Sequence, residues 1–333
     1  MNKILISLLV ATLTCGAAGA HAQSHGQQVR EQIDSALTAR YYHTPYDTNY
    51  VARPEGRLTL KLRVNQSGDD FRVRGDKNGV SSKADLKTEF KTTVSIAASY
   101  RGLSAALAFN PAKMSGHYKD YELNLVYYSS RFSLDASYHS SSTLSGDVEK
   151  GSDTDYLEAG DIKLKMVNVA GYYVFNHRHF SYPAAFTQSY IQLRSAGSWL
   201  AGISYQGGNI ETTSDFKERM PDAPDLRIHI GHLGIGGGYG YNWVPSKRWL
   251  IHLSMLPTFV AYNHNYMIVN GERKDAPHLR FSMIFNERLA VVYNLSPRYF
   301  VGTTLTMSNS FFDNDVAVNQ NKWRARAFVG LRI

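Results

Sequence analysis

Two places in the sequence set a histidine two residues before a serine: His139 with Ser141, and His252 with Ser254. On a strand that spacing puts both side chains on one face, so an imidazole can take the proton of the hydroxyl and make a nucleophile of it. Acyl transfer needs two further parts, a group that orients the histidine and a donor for the oxyanion. Around His139 the run "HSSSTLSGD" is rich in serine, so a chance match there is cheap. Among the other histidines, His177 and His179 share a strand face and form a conceivable metal clamp. His229 and His232, three apart, fall on opposite faces and do not. Asp147, Asp153, Asp155, Glu158 and Asp161 offer hard oxygen atoms to calcium, but a solvated acidic loop has the same composition. The glycine run Gly234 to Gly240, "GIGGGYG", would need a following helix to cradle a dinucleotide, and Tyr241, Asn242 and Trp243 continue a strand instead. Those glycines read as room for backbone curvature or for a neighbouring ring. No metal or cofactor is expected.

The elements that would position these groups are read from alternation. "RLTLKLRVN" sets Leu58, Leu60, Leu62 and Val64 against Arg57, Thr59, Lys61 and Arg63. "DYELNLVY" opposes Leu123 and Leu125 to Asp120, Glu122 and Asn124, and "RFSLDASYH" opposes Phe132, Leu134 and Tyr138 to Arg131, Asp135 and His139. "DIKLKM" sets Ile162, Leu164 and Met166 against Lys163 and Lys165, "HLRFSMIFN" sets Phe281 and Met283 against Arg280 and Ser282, and "WRARAFVGLRI" carries Arg324, Arg326 and Arg332 opposite Trp323, Ala325, Val329 and Ile333. An apolar face toward lipid and a polar face toward a lumen is the pattern of a transmembrane β-barrel. No later run of about 18 apolar residues offers a spanning helix.

Connections supply a second regularity, because tight turns near Tyr100 to Gly102, Ser129 to Arg131, Val244 to Lys247 and Leu295 to Arg298 alternate with long polar loops. The long ones run over Gln66–Lys87, Pro111–Lys119, Ser140–Gly160, Gln206–Asp225, Asn263–Pro277 and Phe312–Asn321. The expected fold is an all-β antiparallel up-and-down barrel of about 12 strands, with short periplasmic turns and long extracellular loops. One connection, Asn176 to Tyr190, is too long for a turn and reads as a cap, an inward-folded plug or the start of a strand.

Lys3, an apolar stretch from Ile4 to Gly19 and the small-x-small Ala20–Ala22 read as a secretory signal peptide over 1–22. Residues 23–56 read as a periplasmic lead-in with a short amphipathic helix, and 57–333 as the barrel. Cys15, the single cysteine, lies in the leader, so a disulfide framework or a thiolate nucleophile is excluded from the mature chain. The 36 Lys and Arg outnumber the 28 Asp and Glu, a net charge of +8. For an exported protein this surplus points to outer-membrane lipids or small anionic solutes rather than nucleic acid.

The expected lumen-facing cations are Arg57, Lys61, Arg63, Lys163, Lys165, Arg280, Arg288, Arg324, Arg326 and Arg332, with Asp120, Glu122 and Asp135 as acids. Rings of cationic side chains select anions in pores, and ion pairs between the same residues also fill a closed lumen. A non-enzymatic narrow channel and an envelope scaffold both stand. The alternation turns His252 and Ser254 inward, which is the wrong side for a substrate entering from the bilayer.

"DTNYV" (Asp47–Val51), "SYRGLSAALAFNPAK" (Ser99–Lys113), "KDYELNL" (Lys119–Leu125) and "FSYPAAFTQSYIQLRSAGSWLAGISY" (Phe180–Tyr205) resemble an outer-membrane barrel family of Bacteroidetes catalogued as domain of unknown function 4421. The resemblance covers nearly the whole mature chain and implies a barrel in the outer membrane, but brings no activity and no catalytic residues. The His and Ser pairs are similar to the arrangement in outer-membrane phospholipase A, which implies a barrel-embedded lipid hydrolase as the alternative function. The closing strand resembles the signal read by the barrel assembly machinery, with Ile333 where Phe is most typical.

Overall fold

The computed structural model describes residues 45–333 except Glu55, Arg57, 78–79, 101–102, 110–120, 152, 276–280 and 314–315. Before residue 45 it describes Glu31, Gln32, Ser35, Ala39 and His43. The leader, most of the lead-in, Arg57, Asp120, Arg280 and the turn at Arg101–Gly102 therefore lie outside the described residues.

The strands are β1 (Val51–Ala52), β2 (Leu58–Lys77), β3 (Val80–Lys87), β4 (Lys91–Tyr100), β5 (Leu103–Phe109), β6 (Tyr121–Tyr128), β7 (Phe132–Ser141), β8 (Ser145–Lys150), β9 (Asp153–Leu157) and β10 (Ile162–Val174). Helix α1 (Tyr182–Phe186) and β11 (Ile191–Gln192) precede β12 (Ala196–Thr212) and α2 (Ser214–Arg219). Then follow β13 (Leu226–Ser246), β14 (Trp249–Asn263), β15 (Tyr266–Val269), β16 (Glu272–Asp275), β17 (Phe281–Asn294), β18 (Tyr299–Asp313) and β19 (Val316–Arg332).

Pairing is antiparallel and closes on itself. From β2 the neighbours run through β4, β5, β6 and β7 to β10, where Met166 faces His139 and Tyr172 faces Ser133. The circuit continues through β12, β13, β14, β17 and β18 to β19, which returns to β2 with Arg332 opposite Thr59 and Arg324 opposite Ser67. Closure removes the free edges whose N–H and C=O groups would otherwise be unpaired in lipid.

The turns at Ser129–Arg131, Lys247–Arg248 and Leu295–Arg298 gather at one end, tied by Val174 N–H to Arg131 O, Asn294 N–H to Arg248 O and Arg332 N–H to Arg298 O. The β13 turn falls later than expected because a register shift between Trp243 and Ser246 carries the strand past Pro245. A bulge is where a strand tolerates a residue without an N–H. Of the expected long loops, Pro111–Lys119 lies outside the described residues, and the others are largely strand: β2 and β3 form a hairpin from Asp70 to Lys87, β3 pairs with β8, and β8–β9 and β15–β16 form further hairpins. Pairing satisfies the backbone as these segments leave the barrel wall.

Burial is inverted relative to a water-soluble sheet. Leu62 is 52% exposed, Leu123 70%, Trp199 69% and Leu253 62%, while Lys61, Asp69, His252 and Arg288 are buried on the opposite face. Exposing a large apolar side chain to water forgoes about 1.5–3 kcal/mol, so a band of them is stable only against lipid. Replacing Leu253 by Arg should lower stability in phospholipid vesicles by about 2–4 kcal/mol, read as a lower urea midpoint. An unchanged midpoint would place that face in water.

Candidate functional site

The connection from β10 to β12 folds into the turn end of the barrel. Ser181 caps α1, accepting from Ala184 N–H at 3.3 Å, and Pro183 sits in the first turn, where its missing N–H costs nothing. Ala184 and Ala185 are buried, and Phe180 and Tyr182 are buried against Tyr128, Tyr172, Leu200 and Leu256 of the wall. Of the three readings of 176–190, this is the inward plug. The glycine run serves it: a Cβ on Gly240 would lie 3.0 Å from the Phe180 ring.

Two of the expected cations hold this plug. Lys61 Nζ donates to Phe186 O (3.3 Å), Thr187 O (3.1 Å) and Gln188 Oε1 (2.8 Å). Arg332 donates to Gln188 O (3.2 Å), Pro297 O (3.2 Å) and Asn294 Oδ1 (2.9 Å). Asn242 Nδ2 donates to Ser181 O at 3.0 Å and Gln192 Oε1 at 2.9 Å. Outside the spanning strands, Asp47 and His179 lie 3.4 Å apart and tie the lead-in to the same segment.

Above the plug, Arg288 is paired with Asp135 and donates to Tyr128 Oη (2.8 Å) and Tyr172 Oη (2.6 Å), with its guanidinium 4.4 Å from the Tyr172 ring centroid. Arg324 pairs with Glu122, whose second oxygen accepts from Ser67 Oγ at 3.1 Å. Arg63 Nε donates to Ser95 Oγ at 3.1 Å. Arg326 Nε and Lys322 Nζ are buried without a hydrogen-bond partner. They line a cavity of about 100 Å³, with Arg288, Arg324, Asn168 and Gln206. Lys322 and Gln206 were missed from the sequence, although the alternation of β19 already puts Lys322 on the face of Arg324.

Toward the loop end the lumen is crossed by a polar chain. Gln206 of β12 donates to Gln320 of β19, Gln320 donates to Asp69 Oδ1 at 3.2 Å, and Asp69 Oδ2 lies 3.0 Å from Nδ1 of His139, whose Nε2 contacts Lys91 Nζ. Beyond it Phe71, Leu86, Leu144, Leu164 and Met166 form a buried apolar cluster. This corrects Lys163 and Lys165, which share the outer face: Leu164 and Met166 turn inward, Lys163 is exposed, and Lys165 Nζ meets Glu211 Oε1 at 3.1 Å. At this end the strands leave the apolar band, so water takes the outside and apolar side chains fill the inside.

Of the two serine–histidine pairs, only His252 with Ser254 is hydrogen-bonded. Ser141 Oγ meets Thr143 Oγ1 at 3.0 Å, while His139 is occupied by Asp69 and Lys91. His252 Nε2 meets Ser254 Oγ at 2.9 Å and its Nδ1 meets Asn242 Oδ1 at 2.7 Å, a nucleophile, base and orienting group in one chain. The Phe180, Tyr182 and Phe186 rings lie over His252 at 5.8, 5.1 and 5.0 Å. Asn242 was legible only through the β13–β14 register, in which it faces His252. His177 accepts from Arg131 and His179 contacts Asn176, and Arg219 binds Glu158 and Asp161. Among the described residues no three His, Cys, Asp or Glu side chains are grouped to hold a metal.

Residues 45–332 match the family model described as domain of unknown function 4421. The chain belongs to that family. No curated protein matches by sequence. Among solved structures, the outer-membrane protease OmpT from Escherichia coli aligns at 9% identity over 84% of this chain and 97% of its own, with a TM-score of 0.40. An outer-membrane channel from Pseudomonas putida F1 aligns at 12% over 86% and 99%, TM-score 0.31, and OprG from Pseudomonas aeruginosa at 10% over 85% and 98%, TM-score 0.28.

Within this member of the domain 4421 family, Arg288 depends on Asp135. The variant Asp135→Asn should lose about 3–5 kcal/mol, because it leaves a buried guanidinium without its counter-charge, and Asp135→Asn with Arg288→Met should recover most of that loss. Urea titration of the three proteins in detergent checks it.

Proposed function

We propose that the protein is an outer-membrane barrel acting as a narrow, anion-leaning channel that its own plug closes at rest. The observation that carries this reading is the lumen itself, in which Arg63, Arg288, Lys322, Arg324 and Arg326 face inward from β2, β17 and β19 above a plug held by Lys61 and Arg332. Cations in a narrow polar passage favour anions, and a plug held by side-chain hydrogen bonds from Lys61, Asn242 and Arg332 can be released without unfolding the wall. Outer-membrane lipids cover the apolar band, and β19 is the strand presented to the barrel assembly machinery.

In planar bilayers, wild type should open rarely, and Lys61→Met with Arg332→Met should raise the open probability at least tenfold. The current should be anion-biased, and the bias should fall on replacing Arg324 and Arg326. Silence of both proteins over many insertions would leave the barrel an envelope scaffold.

The Asn242–His252–Ser254 chain favours a second reading, a lipid hydrolase whose Ser254 is covered by α1. Fatty-acid release from phospholipid vesicles should then vanish in Ser254→Ala. A wild type that releases none, with the plug released or in place, ends that reading.

A further inference from the structure

We infer that the cavity between the plug and the Gln206–Gln320 bridge is a binding site for one small oxyanion of the phosphate or sulfate class. The inference rests on the channel reading for its route of access and names the solute class of the same lumen. Three donors line this one cavity without a hydrogen-bond partner: Arg326 Nε, Asn168 Nδ2 and Lys322 Nζ, the last on a residue that faces Asp69 across the β2–β19 ladder. Arg326 makes no hydrogen bond and no ion pair among the described residues, in contrast to Arg288 and Arg324 beside it, each of which has a carboxylate. Of the acceptors at the cavity, Asp135 is engaged by Arg288, and Gln206 Oε1 has no donor.

A buried cation without a partner costs several kcal/mol unless a counter-ion reaches it. Three donors, two of them charged, converging from β19 and β10 suit the several acceptor oxygens of a tetrahedral oxyanion better than a single water can. Size selects in the same direction: the volume is about 100 Å³, whereas a cavity of about 150 Å³ takes a benzene-sized guest.

The test is a titration of the detergent-folded full chain with inorganic phosphate, and separately sulfate, by isothermal calorimetry in low-chloride buffer, alongside urea unfolding at the same phosphate concentrations. Saturable binding to one site is expected, with an affinity at least tenfold weaker in Arg326→Met and in Lys322→Met. Arg326→Met should be more resistant to urea than wild type without phosphate, since it removes an unpaired buried charge, and should gain nothing when phosphate is added. A merely structural arginine would show the reverse, a loss of stability in both buffers. Where Arg326→Met does not fold, Lys322→Met and the phosphate protection of wild type decide. No saturable binding by wild type, or unchanged binding by both variants, overturns the site. Retained binding with silent bilayers removes the channel and keeps the site, whereas anion-biased conductance without saturable binding removes the site and keeps the channel.

Discussion

A barrel with an apolar outside has to carry its charges inside, and here the inside carries more cations than carboxylates. Everything in the lumen answers that imbalance. Asp135 and Glu122 neutralise Arg288 and Arg324, and Asp69 stands opposite Lys322 in the ladder. The Tyr172 ring lies under Arg288 and the Phe300 ring 4.4 Å from Arg332, using the negative faces of aromatic rings where acids are missing. A hydrogen bond to a charged group contributes about 1.5–3 kcal/mol, which offsets part of the cost of taking these charges out of water. Arg326 is left over, and it fronts the cavity.

The plug is part of the same accounting of charge. A helix of one turn leaves its last carbonyls without internal partners, and those of Phe186 and Thr187 point at Lys61. Neither partner is satisfied alone: the lysine is buried without a carboxylate and the carbonyls are buried without donors. Together they fix where α1 sits, and the Tyr182 ring then packs beside Tyr128 and Tyr172, which in turn orient toward Arg288. The plug thus reaches the cavity through two tyrosines.

The wall was legible in the sequence because period-two alternation is local. Leu58 to Val64 and Trp323 to Ile333 show their faces without knowledge of any partner, and the ladder between β2 and β19 follows. The loop end was misread at Lys163 and Lys165 because alternation reports two faces but not which one meets lipid. That choice changes along β10 as the strand leaves the membrane band. The lumen contacts were not legible, since Arg324 and Glu122 stand 202 positions apart and Lys61 and Gln188 stand 127 apart. Only closure brings such pairs together, and nothing in either segment names the other. The acidic loop illustrates the same limit: its Glu158 and Asp161 face Arg219, a residue of α2 that alternation does not detect.

Asn242 joins the two chemistries of the lumen. Its amide nitrogen is spent on the plug, on Ser181 O and Gln192 Oε1, and its oxygen on His252. Ser254 stands at the far side of His252, over whose ring Tyr182 of α1 lies at 5.1 Å. Withdrawing the plug would therefore remove the tyrosine that covers the serine and free the two amide donors of Asn242 in one movement. The hydroxyl, the imidazole and the amide oxygen would stay in place, because β13 and β14 hold them through their own ladder. The cover over Ser254 and the plug across the lumen are one segment, held by Lys61, Asn242 and Arg332 and by the packing of Phe180 and Tyr182 on the wall.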